Sequence, residues 1–449
     1  MPSKKYVKSE GGVNLRVRFT DKPITGWGGL VVMSKWFAKI GVAKVAEEIF
    51  GAFEPGSNRG YKPWELIVSF MAAIYMGANR VAHVDLLRHD APVRAMFALA
   101  RVPSASSLLR FFRKFNLKHV SVLMPEWNRR MMERARDRFS AGGETLDLDS
   151  SVFERYGGQE GSKKGYNPRK PGRPSHHPIF AVAAGAKWVL HLWLRGGDTV
   201  SASRAVDFIR ETLNNKPRWL NIADVRADSG FFSGKVFDFL ERARIPYTIV
   251  ARANAVVREA VLGITDWAEI AAGIEIGETD YRAADWKKAR RVVAVRQKLE
   301  ERPKAQGRLF PECHAYRHQM LVTTRQDGAV EVWRHYNKRA DVENRIKEWK
   351  DDFFMRGFAM NKFHATEATL WMVAMAFNIT EWFRSTVMDK AASASRLMTM
   401  RIKNFICGGW LGFESGHLVL RINARSKLKE WIENSLLFLD SFSLPIAAH

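Results

Sequence analysis

Along the first third of the chain, apolar positions recur every three to four residues. The stretches "KPWELIVSFMAAIYMGA" (62–78) and "APVRAMFALARV" (91–102) carry that spacing and predict helices. In "VPSASSLLRFFRKF" (102–115), Pro103 and a run of serines precede an apolar and basic stretch. This predicts a Ser-capped helix with Arg110 and Arg113 outward. Near residue 144 the period changes to two, and "ETLDLDSSVFER" reads as a strand. A Gly/Pro-rich stretch (156–177) follows, then two apolar strands, "PIFAVAAG" and "KWVLHLWLR", joined tightly at Gly185. A Ser-capped helix (201–215), a strand ending in "RADSG", a helix in "FSGKVFDFLERAR" and a strand in "PYTIVARAN" complete this region. The order is three strands in a meander, then helix, strand, helix, strand. After Asn254 the regularity weakens for about 75 residues, with strand-like pieces at 290–298 and 318–325. Helix returns from 336 to 403, and "WLGFESGHLVLRI" (410–422) reads as a hairpin turning at 414–416.

Composition narrows what such a chain can be. At 449 residues it is too long for one core, so two or three domains are expected, and 46% hydrophobic content supplies them. Lys and Arg number 71 against 47 acidic residues, a formal net charge of +24, which suits a polyanionic partner. The apolar run 66–78 falls short of the ~18 residues a membrane span needs. The opening "MPSKKYVKSEGG" lacks the apolar core of a signal peptide. Cys313 and Cys407 are the only cysteines, which excludes a disulfide framework and a four-cysteine zinc site. The Cys313, His314, His318 group reads as a strand edge with polar ends rather than a metal site. A cytoplasmic protein facing nucleic acid is the expected class. Residues 101–138 hold ten basic against three acidic side chains, so the 102–115 helix reads either as a helix-turn-helix recognition element or as a capped core helix with a basic face.

The candidate chemistry lies in carboxylates. Taken as one helix, 336–353 places Tyr336, Arg339, Glu343 and Lys350 within an arc of about 60° at ~100° per residue. That arc borders the apolar stripe of Val342, Ile346, Trp349 and Phe353, as residues lining a cleft would. Asp341 and Glu348 point elsewhere. In "LDLDSS", Asp147 and Asp149 are two apart and share one face of a strand. In "ADVRADSGFF", Asp228 ends an apolar strand and precedes a chain-turning Ser-Gly pair; Asp224, within the strand, is the weaker candidate. Three carboxylates on two strands and a helix of a basic α/β protein suggest a two-metal site that polarises a phosphate and activates an attacking oxygen.

This set resembles the ribonuclease-H-like catalytic domain of DDE transposases from bacterial insertion sequences. The spacing Tyr336, two residues, Arg339, three residues, Glu343, six residues, Lys350 is similar to that group's signature. "LDLDSSVFERYGGQEGSKKGYNPRKPGRPSHHP" resembles the 1380 family of insertion sequences. The resemblance implies Asp149, Asp228 and Glu343 as catalytic metal ligands, with Asp147 in reserve. It implies two Mg²⁺ ions, for which Mn²⁺ substitutes, and Tyr336, Arg339 and Lys350 on phosphates of the transposon end. The implied fold is a mixed five-stranded sheet with flanking helices and a β-rich insertion. The regions are a helical DNA-binding and dimerisation part (1–138), a first core part (139–254), the insertion (255–330), core helices (331–384) and a mainly helical C-terminal region (385–449). The implied activity is cleavage of inverted-repeat ends by a homodimer, through a hairpin, and transfer of 3′-OH ends into target double-stranded DNA in the nucleoid. The alternatives are a nuclease or resolvase without strand transfer, and a non-catalytic DNA-binding regulator.

Two further expectations concern DNA. The acid-free stretch "SKKGYNPRKPGR" (162–173), with Lys163, Lys164, Arg169, Lys170 and Arg173, reads as an extended loop tracking the phosphate backbone. Trp286, among five basic residues at 282–291, is the candidate to stack on an extruded base.

Overall fold

The structure, a computed structural model, describes residues 19–57, 59–167, 170–252, 255–298, 316–389 and 393–444. Short strand β1 (Ile24–Thr25) opens the described chain. The meander comprises β2 (Glu144–Ser150), β3 (Phe153–Glu154), β4 (Ser175–His176), β5 (Ile179–Ala183) and β6 (Trp188–Trp193). Then come β7 (Ile222–Ala227) and β8 (Tyr247–Val250), followed by β9 (Ala268–Ala271), β10 (Ile274–Tyr281), β11 (Arg290–Lys298) and β12 (Tyr316–Thr323). The C-terminal hairpin is β13 (Gly408–Glu414) and β14 (His417–Asn423), and β1 pairs with β13.

Nine strands make one sheet in the order β6-β5-β2-β7-β8-β12-β11-β10-β9. Only β2–β7 and β7–β8 are parallel. Parallel neighbours need long crossovers, supplied here by helices Ala205–Asn215 and Gly234–Arg242. Because β12 pairs with β8, strands β9–β12 continue the same sheet. The 290–298 strand appears as expected. Strands β9 and β10 were not foreseen, since "AEIA" and "IEIGETDY" are half exposed and charged, and so lack a clean apolar alternation. Of the Cys313, His314, His318 group, only His318 lies within the described residues.

Strand β6 is a sheet edge, whose unpaired backbone groups need partners. Side chains provide them. Asn378 accepts from Val189 N at 2.8 Å, Asn128 donates to the Val189 and Leu190 carbonyls, and Glu367 accepts from Leu194 N. Asn378 and Glu367 sit on helix Phe363–Val387, which is buried on nearly every side from Ala365 to Arg384. Its other faces meet the N-terminal helices. Trp36 packs edge-on against Trp382 at 5.0 Å, and Tyr75 donates to the Ala376 carbonyl. A helix apolar all round is stable only in such a sandwich.

Two local expectations change. Helix Ala205–Asn215 starts later than the serines imply; Arg204 precedes it with φ 54° and no side chain caps it. The expected single helix at 336–353 is two, Ala329–Asn337 and Ala340–Asp351. The junction is a tight turn in which Arg339 N donates to the Tyr336 carbonyl and Val342 N to that of Arg339.

Candidate active site

Strand β2 carries Asp147 and Asp149 on one face, and adjacent β7 carries Asp224 and Arg226. Asp147 is wholly buried and held by Arg226 through two bonds of 2.7 Å, with Arg226 also donating to the His335 carbonyl. Asp224 is held by His335 and, at 3.0 Å, by Arg325. Both carboxylates are therefore structural partners that anchor the helix junction to the sheet. Asp147, the reserve, and Asp224, the weaker candidate, thus both sit in ion pairs between the sheet and neighbouring segments.

Asp149 stands apart from that pairing. Its carboxylate meets Arg339 at 3.0 Å, and the same guanidinium meets Glu343 at 2.6 Å. Burial pushes the Asp149 carboxyl up to about 6; Arg339 opposes this and the Asp228 charge adds to it. Asp228 follows β7 and accepts from Gly230 N at 2.9 Å, fixing the turn. A side chain on Gly230 would come within 2.9 Å of that carboxylate and 2.8 Å of Ser201, so the turn requires glycine. Tyr336 is 8% exposed, packed beside Ile276, Val293, Val295 and Leu321. Burial raises its phenol to about 12.

A cavity of about 670 Å³ opens beside these groups. Asp228, Lys350, Arg252, Arg356, Ser150 and Ser201 are among its lining residues, and Glu154 and Asp198 add further acid, so cations and carboxylates share its wall. The sequence reading missed a chain of hydroxyls at its wall. His177 Nδ1 lies 2.6 Å from the Thr199 carbonyl, its Nε2 3.1 Å from Ser150 Oγ, and Ser150 Oγ 2.8 Å from Ser201 Oγ. The signal was present in "DSS" and "SHHP", and only the fold joins the two.

The donor set suits a hard divalent cation, since the charges of Asp228 and Glu343 both oppose ionisation of Asp149. Their present placement does not close on one. Among the described residues no group of three His, Cys, Asp or Glu is arranged to hold a metal, and Arg339 lies between Asp149 and Glu343.

The other expected DNA contacts are scattered. Arg110 and Arg113 are exposed on helix Ala105–Arg113, whose Ser104 cap accepts from Ser107 N. The described part of the 162–173 stretch is tied to its surroundings. Lys163 exchanges two backbone bonds with Ser175 and pairs with Asp198, while Lys170 and Arg173 gather on the Tyr156 ring. Lys164 is exposed and Arg169 lies outside the described residues. Trp286 is 5% exposed, packed against Phe232, Phe237 and Tyr281. Its basic neighbours hid a core position: Arg290 turns inward over the ring at 4.8 Å to reach Asp238 and Glu241. A ring so enclosed has no face for a base.

The sequence family described as "Transposase DDE domain group 1" matches residues 7–440. No curated protein matches. Among solved structures, a piggyBac transposase synaptic complex with hairpin DNA is similar at a TM-score of 0.43 and 15% identity, over 85% of this chain and 81% of that one.

Proposed function

The chain belongs to the group 1 family of DDE-domain transposases, and from that footing we propose that it cuts and joins DNA at the ends of its own mobile element. In this reading it is an insertion-sequence transposase of the 1380 family. It binds terminal inverted repeats as a homodimer, hydrolyses phosphodiester bonds there by way of a hairpin, and transfers the 3′-OH ends into target DNA. The observation that carries the reading is Arg339 bridging Asp149 on β2 and Glu343 on the helix, near Asp228 at the end of the adjacent parallel strand, where Asp228, Lys350, Arg252 and Arg356 line a cavity. A basic wall binds and orients phosphates, and an acidic edge is where a cation would be held.

The strand order β6-β5-β2-β7-β8, with its two parallel pairings, supports a ribonuclease-H-like core, and β9–β12 support a β-rich insertion appended to it. Asp149, Asp228 and Glu343 are the residues assigned to Mg²⁺, with Mn²⁺ as substitute. Such an ion supplies phosphate polarisation when bound. Tyr336, Arg339 and Lys350 are assigned to the phosphates of the transposon end.

The test uses duplexes bearing the sequences that flank the gene. Asp228→Asn, Asp149→Asn and Glu343→Gln each remove cleavage and leave DNA binding within a few-fold of wild type. Cleavage without joined products would instead indicate a nuclease, and metal-independent binding without cleavage a regulator.

A further inference from the structure

Arg339 lies between two of the carboxylates assigned to the cation. It is 3% exposed, bridges Asp149 and Glu343, and donates to the Leu148 carbonyl at 3.2 Å. Its charge also acts on Asp228 and Asp147. The bridging is incomplete, because its Nε–H is buried with no acceptor. A buried donor without a partner costs free energy, so this guanidinium is held by charge while its Nε–H finds no protein acceptor. Asp147 accepts instead from Arg226, one bond on each oxygen.

We propose that Arg339 exchanges partners. In the free chain it neutralises the carboxylates and excludes a divalent cation. When a DNA phosphate enters the cleft, the guanidinium turns to the phosphate, and Asp149, Asp228 and Glu343 close on the cation. A phosphate offers oxygens in the planar geometry that a guanidinium fork matches, including an acceptor for Nε.

The consequence is thermodynamic linkage. Without DNA, a divalent cation entering the site leaves Arg339 buried beside a like charge, with no anion to receive it. Without the cation, a phosphate drawing Arg339 away leaves three carboxylates facing one another. Each ligand removes the cost of binding the other, so each must raise the other's affinity by the same factor. The basic wall then serves a second purpose. Lys350, Arg252 and Arg356 can hold a phosphate only weakly until the cation releases Arg339 to join them.

This inference rests on the functional reading for the identity of the polyanion, and binding measurements test it separately from activity. Mn²⁺ affinity of the full chain is measured by the loss of the free-ion electron paramagnetic resonance signal, with and without a duplex of the flanking sequence. Wild type binds Mn²⁺ about 10–100-fold more tightly with the duplex. Arg339→Gln binds Mn²⁺ tightly without DNA, and the duplex adds less than about twofold. Arg339→Lys keeps the charge but cannot span two carboxylates, so its DNA-free affinity falls between the two; if the Gln variant does not fold, this comparison decides. Equal Mn²⁺ affinity of wild type with and without bound duplex overturns the proposal, as does a DNA-free Arg339→Gln affinity no higher than wild type. Should wild type neither bind nor cut the duplex, the functional reading fails, while the DNA-free comparison still decides whether Arg339 excludes the cation.

Discussion

At the scale of single residues, Asp149 concentrates the chemistry and gives a pH prediction. Its folded carboxyl keeps a proton up to about pH 6, against 3.8 for an ordinary aspartate. Between those values the folded state binds more protons than the unfolded one, so this residue's contribution to stability falls as pH rises through the window. Above about pH 6 the buried anion weighs on the fold. Asp149→Asn therefore stabilises the metal-free protein by about 1–3 kcal/mol at pH 7.5, and the gain vanishes near pH 4. Melting temperatures of both proteins across pH test this; a variant less stable than wild type at pH 7.5 would show that the Arg339 pair outweighs desolvation. The spacing in "LDLDSS" showed that two carboxylates share a face but not which one is free. That choice is made by Arg226, a residue on the next strand, and no property of β2 itself reveals it.

At the scale of elements, helical periodicity in 336–353 puts Glu343 and Glu348 on different sides of one helix. It misjudged what lies beyond each. Periodicity turns Glu348 away from the Glu343 arc, opposite the apolar stripe. Glu348 is 1% exposed, paired with Arg384 at 2.5 Å and accepting from Leu397 N. Removing it strands Arg384, whose other partner is Glu381, in the core between helices. Glu348→Ala accordingly costs about 3–5 kcal/mol in denaturant unfolding, and a loss below about 0.5 kcal/mol would contradict the buried pairing. The break at Lys338 and Arg339 was equally hidden, since "YNKRADVENRIKEWK" has no Gly or Pro. It arises from tertiary anchoring, with the His335 carbonyl tied to Arg226 and the Arg339 side chain tied to β2. Trp286 repeats the lesson. Charged neighbours suggested an exposed ring, yet Arg290 folds over it, so Trp286→Ala costs about 3–5 kcal/mol and acts on every activity alike through folding. Loss of a late cleavage step alone, with stability intact, would contradict this.

At the scale of the whole molecule, the strands with clean alternation or continuous apolar runs were legible, and so was the basic character. How the ends of the chain come together was not. Trp36 packs against both Trp382 and Phe442, residues from the opposite end of the chain. The net charge of +24 predicts strongly salt-dependent DNA binding. Neutralising Lys163, Lys164, Arg169, Lys170 and Arg173 together flattens the log–log salt slope by up to about 0.9 per lost phosphate contact. Lys163 contributes least, because Asp198 already holds it. An unchanged slope would place the DNA elsewhere on the surface. The most direct measurement of the central claim is a strand-transfer assay. A labelled duplex of the gene's flanking sequence is incubated with a target plasmid and Mg²⁺, and products are resolved on denaturing gels. Wild type should join labelled 3′ ends to the plasmid, and Asp149→Asn, Asp228→Asn and Glu343→Gln should give neither cut nor joined strands. Joined products from any of these three variants would contradict the assignment of the carboxylates to the chemistry.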